Sequence, residues 1–148
     1  MSNVYLICSN SYRMMEEEIK KIVLNNKYTS FDLNSVELDE VLEEAAYFSL
    51  FDEKKYMVVK NATIFAASKR KNKEDDNNGE EETISKKDEK LLKYLEEPNN
   101  NTILMFCLNG KADSKKKICK FIHTIEFYPH IHSFKLFKIY FFSFNPIC

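Results

Sequence analysis

The chain has 148 residues, enough for one domain with a real core and too few for two of ordinary size. Its 22 Lys and Arg nearly balance 23 Asp and Glu, so global charge names no partner and lacks the basic excess of a duplex-binding domain. No apolar run reaches the roughly 18 residues that a membrane span needs. The opening MSNVYLICSN also lacks the basic flank and long apolar region of a secretory leader, so the cytoplasm is the expected compartment.

The first predicted element is a strand over VYLIC (4–8), a short apolar run suited to burial. A helix follows in SNSYRMMEEEIKKIVLNN, where Met15, Ile19 and Ile22 recur at spacings of four and three. Ser11 is its expected N-cap, and the early glutamates suit the positive end of the helix. YTSFDL (28–33), rich in aromatic and β-branched residues, predicts a second strand. SVELDEVLEEAAYF repeats the helical period through Leu38, Val41, Leu42 and Ala45, with Ser35 as a loose cap signal. KYMVVKN (55–61) is a third strand, and KKDEKLLKYLEE (86–97) a third helix stopped by Pro98. TILMFCL (102–108) is a fourth strand, and DSKKKICKFI opens a fourth helix capped by Asp113 or Ser114.

Strand and helix alternate, which predicts an α/β fold with a parallel sheet, because parallel neighbours need a crossover between them. Cys8 and Cys107 fall inside apolar strand runs, where cysteine acts as a small hydrophobe. The four cysteines form no CxxC pair and have no histidine at zinc-ligand spacing, so neither a metal nor a disulfide is expected.

Two stretches fall outside the alternation. Residues 66–85, AASKRKNKEDDNNGEEETIS, are mostly charged without apolar period and predict a solvated flexible loop. The tail 121–148 holds a single acid, Glu126, against 22 of the 23 in residues 1–120. It also carries His123, His130, His132 and seven phenylalanines from Phe121 to Phe144. So abrupt a change predicts a tail foreign to the domain, a frameshifted translation of an A/T-rich gene. His130 and His132 share one side of an extended strand but lack a third ligand of matching character, so composition explains them better than metal binding.

The usual chemistry of a parallel sheet is missing. A nucleotide-binding protein carries a Gly-rich loop after its first strand, where bare backbone wraps phosphate. Here that position reads CSNSYRM, and no glycine precedes Gly79. VVKN, ending the third strand, lacks the acid that would hold Mg²⁺. Ser9 and Ser11 have no base, because every histidine lies in the tail. Asp32 at the end of SFDL lacks the acidic cluster of a receiver phosphoacceptor. No cofactor, no metal and no catalytic residue is expected.

The ordered segments VYLICSNSYRMMEEEIKKI, FDL, LDEVLEEAAYFSLFDEKKYMVVKNA and LLKYLEEPNNNTILMFCLNGKADSKKKICK together resemble the N-terminal domain of the bacterial DNA polymerase III delta-subunit family, the clamp-opening part of a clamp loader. The most specific pieces are the helix-SLF-basic-strand unit, the YLEEP helix end and the KAD-KKK turn. The resemblance covers residues 4 to about 120. It implies a RecA/AAA+-like, P-loop-type fold lacking a functional phosphate-binding loop. Cys8 and Ser9 depart from the family, which often has a small or aromatic residue followed by glycine there.

A Leu-Phe pair at an element junction more often closes a core. In the resembled family, however, the residues matching Leu50 and Phe51 enter a pocket on the sliding clamp. The resemblance therefore implies that this pair faces out, with Ser49, Phe48 and Tyr47 shaping its platform and Ala45 and Leu42 holding the helix to the sheet. Its implied partners are the sliding clamp (the beta subunit), the other loader subunits in a full-length chain, and DNA only indirectly within that complex. Family members continue into a lid and a helical collar, neither of which is recognisable after Lys120. Two other functions compete with the clamp-binding module. One is a degenerate nucleotide-binding or phosphoryl-transfer enzyme, and the other is direct DNA contact through the local basic patch of Lys111, Lys115, Lys116 and Lys117.

Overall fold

A computed structural model describes residues 3–48, 50–51, 53–67 and 85–127. Five parallel strands form one sheet: β1 (Val4–Ser9), β2 (Thr29–Asp32), β3 (Lys55–Lys60), β4 (Thr102–Asn109) and β5 (His123–Phe127). Their spatial order is β2-β3-β4-β1-β5, so β4 is inserted between β3 and β1. The helices are α1 (Tyr12–Val23), α2 (Leu38–Ala46), α3 (Lys86–Glu96) and the single turn α4 (Lys117–Lys120), with a 3₁₀ turn at Thr63–Phe65. The α/β parallel-sheet expectation holds.

Strand alternation sorts the core into two layers. Leu6 and Cys8 of β1, Met57 and Val59 of β3, and Leu104, Phe106 and Leu108 of β4 face α2, α3 and α4. Ile7, Val58, Met105 and Cys107 face the other way and meet Met15, Ile19 and Val23 of α1. Phe65 and Phe106 fill the thicker layer with ring centroids 5.0 Å apart. Helices thus cover both faces of the sheet, which is why β1 and β4 carry unbroken apolar runs.

Several boundaries move for local reasons. Ser11 is the N-cap of α1 by backbone position, but its hydroxyl makes no capping bond. Its own N–H instead donates to Ser9 Oγ at 3.1 Å. The glutamates lie beyond the first turn of α1, which holds no acid. Ser35 belongs to a turn closed on Asp32 O, and α2 starts from Glu37. Asp113 Oδ1 accepts from Lys115 N at 3.0 Å and so caps a turn, which delays the fourth helix to Lys117. Ser85 ends the charged stretch as a true cap of α3, its Oγ accepting from Asp88 N at 3.2 Å. The rest of the loop expectation concerns 68–84, outside the described residues.

The sheet continues past residue 120, where the domain was expected to end. β5 pairs with β1 in parallel register, Tyr5 opposite His123 and Ser9 opposite Phe127. Ile122 is buried beside it in the main core layer. His123 adds an edge-on contact to the Tyr5 ring at 5.6 Å. Residues 123–127 therefore belong to the sheet, because Thr-Ile supplies the β-branched content of a strand despite the altered composition around it. The frameshift expectation for the remainder, with His130, His132 and Cys148, lies outside the described residues. Cys8 and Cys107 are buried as expected. No helix among the described residues is long and apolar enough to cross a membrane.

Candidate functional site

In a parallel sheet every β→α connection emerges at one edge and every α→β connection at the other. Ligands of such sheets sit at the first edge, outside the carboxyl ends of the strands. That edge is poorly equipped here. Only Asn10 and Ser11 separate β1 from α1, a connection too short to wrap a phosphate with backbone amides. Ser9, fully buried, occupies its base.

A pocket of about 80 Å³ between α1 and the strand ends is lined by Tyr12, Met15, Glu16, Ile19, Lys60, Asn61, Cys107 and Asn109. It falls far below the roughly 300 Å³ at which small-molecule sites begin. Burial pushes the Cys107 thiol up to about 11, so it stands there as a neutral thiol and not as a nucleophile. Asp32 accepts from Asn61 Nδ2 at 2.8 Å and from Asn34 N at 2.9 Å. Those two bonds, the first more than the second, hold its carboxyl below the usual carboxylate range. Both serve the turns that close the strands. Among the described residues no three His, Cys, Asp or Glu gather to hold a metal.

The expected basic patch lies at this same edge, between β4 and α4. Lys111, Lys115 and Lys117 are exposed. Lys116 is half-buried, and its Nζ donates to Ile64 O at 2.8 Å. That lysine fastens the 3₁₀ turn to the β4–α4 connection, beside the bond from Asp113 N to Phe65 O at 2.8 Å. Of the four lysines, Lys116 is thus the one drawn toward the domain's interior.

The opposite edge carries the unusual surface. Leaving α2, the chain presents Tyr47 and Phe48, each 66% exposed, then Leu50 at 94% and Phe51 at 82%, before it enters β3. Few features of a soluble surface call for explanation as much as a run of large apolar groups in water. The neighbouring apolar residues behave conventionally: Val41, Leu42 and Ala45 of α2 are buried, as are Met57, Val58 and Val59 of β3. So Ala45 and Leu42 hold the helix down as expected, and Leu50 and Phe51 lie outside the core. Ser49 lies outside the described residues.

The base of this turn is held by side chains that the sequence did not single out. Asn99 Nδ2 donates to Ala45 O at 3.2 Å and to Tyr47 O at 3.3 Å. Thr102 Oγ1 donates to Ala45 O at 3.0 Å. Lys55 Nζ donates to Glu44 O, pairs with Glu44 Oε1 at 3.1 Å, and lies 5.7 Å from the centre of the Tyr47 ring. The available signal was the run Pro98-Asn99-Asn100-Asn101-Thr102, a polar cluster placed directly before a fully apolar strand.

The sequence model of the family described as "DNA polymerase III, delta subunit" matches residues 3–127. Among solved structures, the chain is similar to the Bacillus subtilis DNA clamp loader delta protein (YqeN). The TM-score is 0.66 and the identity 20%, over 86% of this chain and 39% of that one. At such identity the likeness speaks for the fold, and the chain spans 39% of that protein's length. Comparison with curated proteins gave no match.

Proposed function

The chain belongs to the DNA polymerase III delta-subunit family, and from that premise we propose that its domain grips a sliding clamp through Leu50 and Phe51. In this reading the pair leaves water by entering an apolar pocket on the clamp (the beta subunit), with Ser49, Tyr47 and Phe48 forming the surrounding platform. The observation that carries it is the exposure of Leu50 and Phe51 on a turn between two well-buried elements. Burying a Leu or a Phe contributes roughly 1.5–3 kcal/mol each, the scale of an interface hot spot. No other described stretch offers apolar side chains so exposed.

Gripping the clamp is half of the role; helping to open it for loading on DNA during replication is the other half. The domain itself hydrolyses no ATP in this reading, in keeping with the two-residue β1–α1 connection and the absence of glycine there. Work on the ring would then come from other loader subunits, and DNA would be met within that assembly. The lysines at 111, 115 and 117 stand at the edge opposite Leu50, so a DNA contact through them would leave the clamp site clear.

The test is the affinity of the full chain and of its Leu50→Ala/Phe51→Ala variant for the sliding clamp encoded by the same genome. A loss of about tenfold or more is expected, each 1.4 kcal/mol being tenfold; unchanged affinity overturns the reading. Calorimetry with Mg-ATP separates it from a nucleotide-binding enzyme, for which heat of binding at micromolar affinity would speak.

A further inference from the structure

Helix α2 ends without a glycine or a basic side chain of its own. Its last turn holds no basic residue, and its C-cap, Tyr47, is extended at φ −67° and ψ 127° with no glycine following. A helix end leaves carbonyls without intrahelical partners, and buried ones must find donors elsewhere. Tyr47 N donates locally to Glu43 O at 3.1 Å and to Glu44 O at 3.3 Å, and further donors come from side chains farther along the chain. Glu44 O takes Lys55 Nζ. Ala45 O takes both Asn99 Nδ2 and Thr102 Oγ1. Tyr47 O takes Asn99 Nδ2, with Lys55 Nζ at 3.5 Å. Asn99 and Thr102 are 6% and 1% exposed, two of the three buried polar residues among those described.

The same short turn also fixes the far end of the exposed loop. Lys55 N, the first amide of β3, donates to Asn101 O at 2.8 Å. Asn101 N in turn donates to Asn99 Oδ1 at 3.0 Å, and Thr102 N to Asn99 O at 3.1 Å. Both stems of the loop carrying Leu50 and Phe51 therefore rest on one platform, Asn99 to Thr102. The three carbonyls held are those from which the chain departs toward Leu50, so their direction sets the direction of the loop.

We propose that Asn99 and Thr102, assisted by Lys55, are positioning residues that aim the Leu50–Phe51 turn at its partner. This rests on the clamp-gripping reading above, and it assigns to the PNNNT turn a role in that grip beyond ending α3. A Leu and a Phe on a loop free to wander would lose ordering entropy on binding; a loop aimed in advance loses less. The prediction is thus an effect on affinity that exceeds any effect on the folded fraction.

The test uses full-length Thr102→Val, which keeps shape but removes the hydroxyl, and Asn99→Ala. Each is measured for clamp affinity alone and on the Leu50→Ala/Phe51→Ala background, at a temperature where denaturation curves show each variant folded. Weakening of about three- to tenfold is expected for each alone, with less than twofold further loss on the double-alanine background. Thr102→Ser, which restores the donor, returns most of the affinity. Amide exchange of residues 47–54 should accelerate in Thr102→Val while β1 and β4 keep their protection.

If Asn99→Ala does not fold, Thr102→Val and its exchange pattern decide the matter. Wild-type affinity in folded Thr102→Val, or an equal loss on both backgrounds, overturns the proposal. Should Leu50→Ala/Phe51→Ala itself leave affinity intact, the clamp-gripping reading fails first; should it weaken binding while Thr102→Val does not, only the positioning proposal fails.

Discussion

Asn61 donates its Nδ2 to Asp32 Oδ1 at 2.8 Å while its own backbone stands at φ +58°. One residue thereby ties the end of β3 to the end of β2 and turns the chain from the strand toward the 3₁₀ turn. Only glycine and, less easily, asparagine or aspartate adopt the left-handed region at small cost; other side chains lose roughly 1–2 kcal/mol there. Asn61→Ala should therefore lower stability by about that amount in urea unfolding. Asn61→Gly should lower it less, because it removes the bond but tolerates the angle. Equal losses would show that the backbone angle is not what matters.

The same contact has a pH signature. Asp32 is held below its ordinary value of 3.8, chiefly by Asn61. A carboxyl depressed in the folded chain contributes stability above its unfolded value, and the contribution is lost as pH falls through the folded one. Stability should thus decline below about pH 4, and Asn61→Ala should flatten part of that decline. An identical acid limb in the variant would assign the slope to other carboxylates.

Cys107 titrates in the opposite sense. Burial raises its thiol from 9.0 to about 11. The folded chain therefore keeps a proton that the unfolded chain gives up, so this contribution is complete below about pH 9 and is lost as pH rises toward 11. Below pH 8 the thiol should resist disulfide reagents until the protein unfolds. Comparing the alkaline slope of wild type with that of Cys107→Ala isolates the effect from every other group. A wild-type slope no steeper than the variant's would contradict it.

Ending the chain at Lys120 rather than Phe127 should do more harm than composition suggests. The shorter chain loses β5, uncovers the edge of β1 along Tyr5 to Ser9, and removes Ile122 from the core. A buried isoleucine alone is worth roughly 1.5–3 kcal/mol, and an uncovered edge strand invites association. The 1–120 chain should unfold at lower urea concentration than 1–127 and should self-associate. Matching midpoints would return the boundary to 120.

That boundary shows where the sequence is a partial guide. Apolar runs located β1 and β4, because burial on both sheet faces leaves an unmistakable run in VYLIC and TILMFCL, whereas β2, with no buried residue, was legible only from its aromatic and β-branched content. β5 was hidden because it falls inside the stretch whose altered composition set it apart from the domain, and as an edge strand its His123 and Thr124 need not be apolar. The strand order could not be inferred either, since no local pattern records that β4 enters between β1 and β3. The outward facing of Leu50 and Phe51 was legible only through the family resemblance, because side chains at a junction carry no period and the residues alone favoured a place in the core. Asn99 and Thr102 escaped notice for a related reason: their partners are carbonyls more than fifty residues away in sequence.

The sharpest check on the exposed pair needs no partner. Leu50 and Phe51 lie almost wholly in water, so Leu50→Ala/Phe51→Ala should shift stability by no more than about 0.5 kcal/mol per site, as surface changes do. Leu104→Ala, at a position fully enclosed between β1 and β3, removes buried methyl groups and leaves a cavity, which costs about 2–5 kcal/mol. Urea titrations of both variants beside wild type should separate them by several-fold. A loss at the exposed pair comparable to that at Leu104 would mean the two side chains close the core in solution, and no surface would then remain for a clamp to take.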